Sequence, residues 1–421
     1  MKKYFAMLLT VLACISLTAC GSSADVSTSP LDRGDDYYDD YYDENQDADD
    51  ESDWQTQEDS EVSDPGEAPE PEVTVAPSVT IEDARNSIAV FQKMAAAVTK
   101  DHKLYVWGKD ALDNITYDKT VTGTAIEPTL VAEGVVKIFP DDAGSALVLK
   151  EDGSLWGFGD FSKYTSGFEN WTIEEWLENS RFLQKIADNV KSATCNGVVA
   201  AYVREDGTVV CLESATSCSK SEVENITDVK EIASGYFFVM ALKEDGTLWG
   251  LGDDRNEILG VDIKAGYQPS YIQIMTDVAA IEVADLACYA IKTDGSLWSW
   301  GDNDNPGRLG TGNWAEQRTP VKIMDNVASV SYRGHTVYAV TTDGELYAWG
   351  GAGPISAKSN CPQKCADGVA AAESYFYGQL IVKEDGTLYT GGDNIFLQLG
   401  YETSEEKTSE LRECLTGILL P

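Results

Sequence analysis

Apolar and polar positions in this chain fall into one phrase that keeps returning. At 241–260, ALKEDGTLWGLGDDRNEILG, an apolar run ends at Lys243, turns through Glu244-Asp245-Gly246 and leaves as Thr247-Leu248-Trp249. Two apolar runs joined by Asp-Gly predict a β-hairpin, because glycine adopts positive φ at no steric cost. The phrase recurs at 149–156, 291–298 and 382–389, with weaker copies around Asp101, Asp206 and Asp343. These seven hairpins are spaced by about 47 residues, a period that with strand chemistry predicts propeller blades. The strands predicted at Leu248-Trp249-Gly250-Leu251-Gly252 are apolar on both faces, as expected where each sheet is covered by its neighbours. Here large residues are expected to fill the gap between blades and glycines to admit the neighbour's ring.

Upstream of each hairpin stands another apolar strand and a small turn, as in Val229-Lys230-Glu231-Ile232-Ala233-Ser234-Gly235. Downstream, several copies open with Gly-Asp and close with Leu-Gly: Gly252-Asp253 to Leu259-Gly260, Gly301-Asp302 to Leu309-Gly310, and Gly392-Asp393 to Leu399-Gly400. A Pro-initiated strand then follows at Pro128, Pro269, Pro320 or Pro362. In this order the residues resemble the regulator of chromosome condensation repeat family over 85–421. The resemblance implies an all-β, seven-bladed β-propeller. Copy one departs from it with His102 in place of glycine, copy three has Cys211 and Glu213 where Trp and Gly are expected, and copies one, two, three and six lack the Leu-Gly tail.

The N-terminal part is built differently. Lys2 and Lys3 precede an apolar core, and Leu17-Thr18-Ala19-Cys20 matches a lipoprotein signal, so 1–20 is expected to be removed and Cys20 lipidated. Several acyl chains on one cysteine would hold a protein at a membrane, at ~0.8 kcal/mol per buried methylene. Residues 21–84 read as a disordered acidic tether, rich in Pro and Glu after Pro65. Between 21 and 80 there are twenty Asp or Glu and a single basic residue, Arg33. Such a segment cannot bury enough surface to offset its chain entropy. The expected location is extracytoplasmic and membrane-anchored.

Net charge narrows the partners. The whole chain carries −40 and residues 81–421 carry −23. There is no stripe of Lys or Arg to release counterions from a phosphate backbone, so no nucleic-acid partner is expected. The guanine-nucleotide exchange on chromatin associated with the family therefore does not carry over.

Candidate chemistry is sparse. With two histidines, His102 and His335, a nucleophile has little base to activate it, and no enzyme, cofactor or metal is expected. Beyond Cys14 and Cys20, seven cysteines remain, an odd number. Cys361 with Cys365 is a candidate small-loop disulfide and Cys195 with Cys211 a candidate inter-strand one. They lack the paired spacing of a zinc site. Asp302-Asn303-Asp304-Asn305-Pro306-Gly307 resembles half a calcium loop without its later oxygen ligands. In the second copy, 158–184 is an aromatic insertion whose Thr172-Ile173-Glu174-Glu175 capping box predicts a short amphipathic helix.

What remains is a surface. By analogy with the family, the turns before each hairpin's first strand converge on one end of the channel. There they present Asp141 and Asp142, Tyr236 and Phe237, Asp285, Tyr332, Arg333 and His335, and Tyr375 and Tyr377. Aromatics beside charges have the composition of interface anchors. The expected function is a binding module for a protein or a cell-surface polymer. The alternative is a lyase or glycosidase using channel carboxylates such as Asp141 and Asp285.

Overall fold

The computed structural model describes residues 87–420 apart from 92, 110, 112–122, 142–144, 160–182, 197–198, 213–218, 255–257, 264–265, 285, 304–306, 334–335, 352–357 and 376–377. The signal segment, the tether, the insertion helix and Cys218 lie outside the described residues. Seven antiparallel sheets follow in chain order. Blade one is β1 (Ile88–Val90), β2 (Met94–Val98), β3 (Lys103–Gly108) and β4 (Ala125–Glu133). Blade two is β5 (Val135–Pro140), β6 (Ala146–Lys150), β7 (Leu155–Phe158) and β8 (Gln184–Ala187). Blade three has β9 (Val190–Cys195), β10 (Ala200–Arg204) and β11 (Val209–Leu212), followed by helix α1 (Lys220–Val223). Blade four is β12 (Val229–Ser234), β13 (Phe238–Lys243), β14 (Leu248–Asp253) and β15 (Tyr267–Met275). Blade five is β16 (Val278–Ala284), β17 (Ala287–Lys292), β18 (Leu297–Gly301) and β19 (Gln317–Met324). Blade six is β20 (Val327–Arg333), β21 (Thr336–Thr341), β22 (Leu346–Gly350) and β23 (Ser359–Ala366). Blade seven is β24 (Val369–Tyr375), β25 (Gly378–Lys383), β26 (Leu388–Asp393) and β27 (Lys407–Leu415). The first strand of every blade packs against the first strand of the next, and β24 packs against β1, so the ring is closed.

One backbone exchange repeats at every junction. Each hairpin lends a carbonyl to the first amide of the next blade. The Val135 N–H donates to His102, Val190 to Gly153, Val229 to Gly207, Val278 to Gly246, Val327 to Gly295 and Val369 to Gly344, all at 2.9–3.1 Å. The residue before each valine (Gly134, Asn189, Asp228, Asp277, Asn326, Gly368) has φ between 57° and 73°, and its carbonyl accepts from its own blade's hairpin. The Asp-Gly glycine is thus both a turn residue and a docking point. His102 occupies that position with φ 59°, a conformation costing about 1–2 kcal/mol outside glycine.

Three residues at the C-terminus close the ring. Gly417 has φ 72°, Ile418 is buried and donates to the Gly386 carbonyl at 2.9 Å, and Leu419 donates to Val98. Ile418 therefore stands where Val135 stands in blade two, extending the three-residue β1 along β2 through its bridge to Thr99.

A second lock explains the Leu-Gly tails. Trp300 Nε1 donates to the Ile258 carbonyl at 2.9 Å, Trp349 to Arg308 at 2.7 Å, and Trp107 to Gln398 at 2.7 Å. In each case the acceptor immediately precedes a Leu-Gly pair of the preceding blade. A Cβ on Gly260, Gly310 or Gly400 would stand 2.7–3.0 Å from the indole nitrogen, and all three have φ near 70°. The residue after each Gly-Asp start completes the loop: Asp254, Asn303 and Asn394 accept the Leu259, Leu309 and Leu399 amides. The sequence reading placed this packing at Gly250 and Gly252. The ring-admitting glycines are instead those of the tails, and Trp249 is half-exposed, bonded to Thr247 of its own hairpin.

Neither candidate disulfide forms. Cys195 pairs across from Ala200, and Cys211 from Ala201, so β10 separates them and they face opposite sides of the sheet. Cys361 and Cys365 are four residues apart along β23, about 13 Å at strand rise, and both thiols are free. In blade three, Glu224 accepts the Cys211 amide and α1 covers β11, standing in for a fourth strand.

Gly310→Ala should lower stability by about 1–3 kcal/mol from the positive φ, with more from the indole contact. A chain ending at Leu415 should lose more, because it leaves β2 and the Gly386 hairpin unpaired. Thermal melts of the two variants beside the parent give both values, and an unchanged midpoint for the truncation would sink the closure argument.

Candidate functional site

In an antiparallel meander, successive connections alternate between the two ends of the sheet. The first-to-second and third-to-fourth strand connections of every blade therefore share one face of the ring, and the Asp-Gly hairpins share the other. Chemistry separates the faces. On the hairpin face, Asp152, Asp245 and Asp294 accept hydrogen bonds from Ser154, Thr247 and Ser296, whose hydroxyls accept from Trp156, Trp249 and Trp298 Nε1. These bonds hold the aspartates below the ordinary carboxylate range. Their role is to brace turns.

The opposite face carries the apolar exposure. Tyr236 and Phe237 are each 39% exposed, and Trp314 54%, while Tyr267 at the start of β15 and Ile395 between β26 and β27 are exposed on the same end of their own blades. The Tyr236 and Phe237 rings lie 6.4 Å apart in the β12–β13 turn of blade four.

The sequence-predicted residues divide as follows. Tyr236 and Phe237 are at the surface. Tyr332 is 2% exposed, packed 6.3 Å from the Tyr289 ring with Arg308 over it; it is core and presents no side chain to a partner. Asp141 is fully buried, its Oδ1 accepting the Ser145 amide at 2.6 Å, so it belongs to the turn rather than to a partner surface. Tyr375 ends β24. Asp142, Asp285, His335 and Tyr377 lie outside the described residues, as does Cys20. Among the described residues no three His, Cys, Asp or Glu gather to hold a metal.

Arg333 has a role the sequence did not indicate. Its Nη2 donates to the Pro140 carbonyl at 3.2 Å, joining blade six to blade two across the channel. Next to it, Ser374 Oγ lies 2.8 Å from the Arg333 carbonyl and 2.6 Å from that of Thr336.

Sequence reasoning missed Glu373 and Glu282. In the strand registers Glu373 lies two residues before Tyr375, which pairs with Gly378, and Glu282 two before Ala284, which pairs with Ala287. Both turns are thus approached at the same level, so the two carboxyls stand at one height in the channel. The Glu373 Oε2 is closed from solvent without a hydrogen-bond partner. Desolvation, with Glu282 adding repulsion against the opposing pull of Arg333, raises its carboxyl to about 8. Lys191 and Lys230, each second in its inner strand, stand nearer the hairpin end, where Lys191 pairs with Glu244 and Lys230 donates to the Ala279 carbonyl. The only sequence signal was a Glu near the end of an otherwise small, apolar strand.

Residues 294–337, from the blade-five hairpin into the second strand of blade six, match the regulator of chromosome condensation (RCC1) repeat. The fold is a seven-bladed β-propeller of the RCC1 type. It is similar to Prp20 of Saccharomyces cerevisiae, with a TM-score of 0.61 at 15% identity over 80% of this chain and 90% of that one. A second structure, yeast RCC1 (Prp20) with Kap60 bound, gives 0.60 at 15% identity over 80% and 86%. No curated protein sequence matches the chain.

Glu373 makes stability depend on pH in a stated direction. Its folded-state pKa lies above the unfolded value, so the folded chain keeps a proton the unfolded chain releases. Its contribution to stability therefore declines as pH rises from about 4.5 to about 8 and is level beyond. Glu373→Gln should raise the melting midpoint little at pH 4.5 and most above pH 8. A shift independent of pH would contradict this.

Proposed function

We propose that this chain is a binding module held outside the cytoplasm by a lipid on Cys20, with the acidic tether carrying the propeller away from the membrane. Its partner is a protein or surface polymer met by the face that carries Tyr236 and Phe237, and no turnover is involved. The supporting observation is the division of the ring into a charged hairpin face, whose aspartates are engaged in turns, and an opposite face with exposed aromatic side chains. Monomeric proteins keep few such groups exposed without a use for them, and aromatics are the commonest interface anchors. Prp20, sharing the fold, is described bound to Kap60 and in terms of its binding to Gsp1p and histones, so this scaffold serves protein recognition elsewhere.

Crosslinking in intact producing cells, followed by recovery of the full chain, tests this. Replacing Tyr236 and Phe237 together by Ala should remove the crosslinked partner without changing the melting midpoint, whereas Glu205→Ala on the hairpin face should leave it. Equal loss from both, or from neither, dismisses this face. Metabolic labelling with a fatty acid checks the anchor: label should disappear in Cys20→Ala.

A further inference from the structure

The third-to-fourth strand connection of blade five, on the face that carries Tyr236 and Phe237, presents a tryptophan from a braced turn. Trp314 is 54% exposed. Asn303 is buried beneath it and donates from Nδ2 to the Asn313 carbonyl at 2.9 Å and the Ala315 carbonyl at 3.0 Å, the two residues that flank the ring. The same turn is tied to blade six, where the Gly312 amide donates to the Asn360 carbonyl at 2.8 Å. Gly307, with φ 86°, lets the indole settle, since a Cβ there would stand 2.9 Å from the ring and 2.8 Å from Asn360. Blade seven makes the same clamp, Asn394 donating to the Glu405 carbonyl, yet carries Ser404 where blade five carries Trp314. The turn therefore does not need an aromatic ring, and this one is left largely in water at a cost that burial does not recover.

Its surroundings are polar. Residues 312–316 are all exposed, and Trp314 is the only large apolar side chain among them, whereas the centre of a protein interface is a cluster of apolar groups. Lys358 of blade six is exposed beside the ring, its Nζ 6.0 Å from the centroid, the outer limit of cation–π contact. Lys322 and Lys364 of the same two blades meet carboxylates at 2.6–2.7 Å, and among the described residues Lys358 meets none. We propose that Trp314 and Lys358 form a subsite for an acidic sugar of a surface polysaccharide, the C–H face of a uronic acid stacking on the indole and its carboxylate meeting the ammonium. This rests on the reading of that face as the binding face and names the polymer it recognises. The axial hydrogens of a pyranose carry the partial positive charge that the negative face of an indole attracts, and the carboxylate gains a charge-assisted hydrogen bond. Asn313 accepts the Ala315 amide on Oδ1 and keeps Nδ2 for a ring hydroxyl, while Gln317 donates from Nε2 to the Ala315 carbonyl and keeps Oε1. Residues 81–421 carry −23, but charges more than about 8 Å away are largely screened at physiological ionic strength, so the nearby ammonium governs the carboxylate.

The test uses the purified full chain and two probes that differ only at C6, methyl β-glucuronide with a carboxylate and methyl β-glucoside with a hydroxymethyl group. Nitrogen-15 NMR of the tryptophan indoles follows binding, the Trp314 signal being the one that Trp314→Ala removes. The glucuronide should shift that signal saturably and bind about fivefold more tightly than the glucoside, as expected for one exposed charged hydrogen bond. Lys358→Met should bring the glucuronide down to the affinity of the glucoside and leave the glucoside unchanged. Trp314→Ala should abolish binding of both in saturation-transfer spectra, and an unchanged melting midpoint reports that each variant is folded. An unmoved Trp314 signal, equal affinity for the two sugars, an unchanged glucuronide affinity in Lys358→Met, or a shift by the peptide N-acetyl-Asp-Glu-amide with none by the glucuronide overturns the subsite. Each of these can occur while the crosslinking result at Tyr236 and Phe237 stands, so failure of the subsite is separable from failure of the binding face.

Discussion

The closure of this ring depends on one backbone hydrogen bond made seven times. The first amide of each inner strand is buried at a blade junction and needs an acceptor; the hairpin turn residue of the preceding blade, His102 in the first and glycine in the others, provides it. That requirement forces the residue before the amide to turn with positive φ, which accounts for glycine, asparagine or aspartate at 134, 189, 228, 277, 326, 368 and 417. It also makes blades interdependent, since no inner strand is satisfied without its neighbour. At the seam the same bond is made by Ile418, so a chain linear in sequence becomes continuous in space.

The tryptophan locks are a second layer upon that frame. They occur where a blade has a Leu-Gly tail, after blades four, five and seven, and one of them spans the seam by placing Trp107 against Gln398. An indole nitrogen buried between blades requires an acceptor, and a tail carbonyl beside a glycine lets the ring come close enough to reach it. Blade three, with three strands among the described residues, covers its edge with α1 and the Glu224 carboxylate.

Because connections alternate between ends, the fold sorts chemistry by face. Hairpin turns that must brace themselves with aspartate and hydroxyl side chains collect on one face. The other face carries the exposed aromatics of the β12–β13 turn, and the ends of β16 and β24 that bear Glu282 and Glu373 lie toward it. Arg333 joins blades six and two across this mouth, and its charge acts on the nearby Glu373 carboxyl.

Period and turn chemistry by themselves determined the all-β ring and its seven hairpins, because Asp-Gly and flanking apolar runs act locally. The Pro-initiated outer strands and the Tyr236 and Phe237 turn were legible for the same reason. Tertiary structure alone decided what depends on partners far apart in sequence. It put Tyr332 and Asp141 in the interior, kept Cys195 from Cys211 by inserting β10, and chose Trp300 over Trp298 as the buried ring. It also brought Glu373, Glu282 and Arg333 from three blades to one mouth. Burial and the field of distant charges set the chemistry of a carboxyl, and neither is written in the residues beside it.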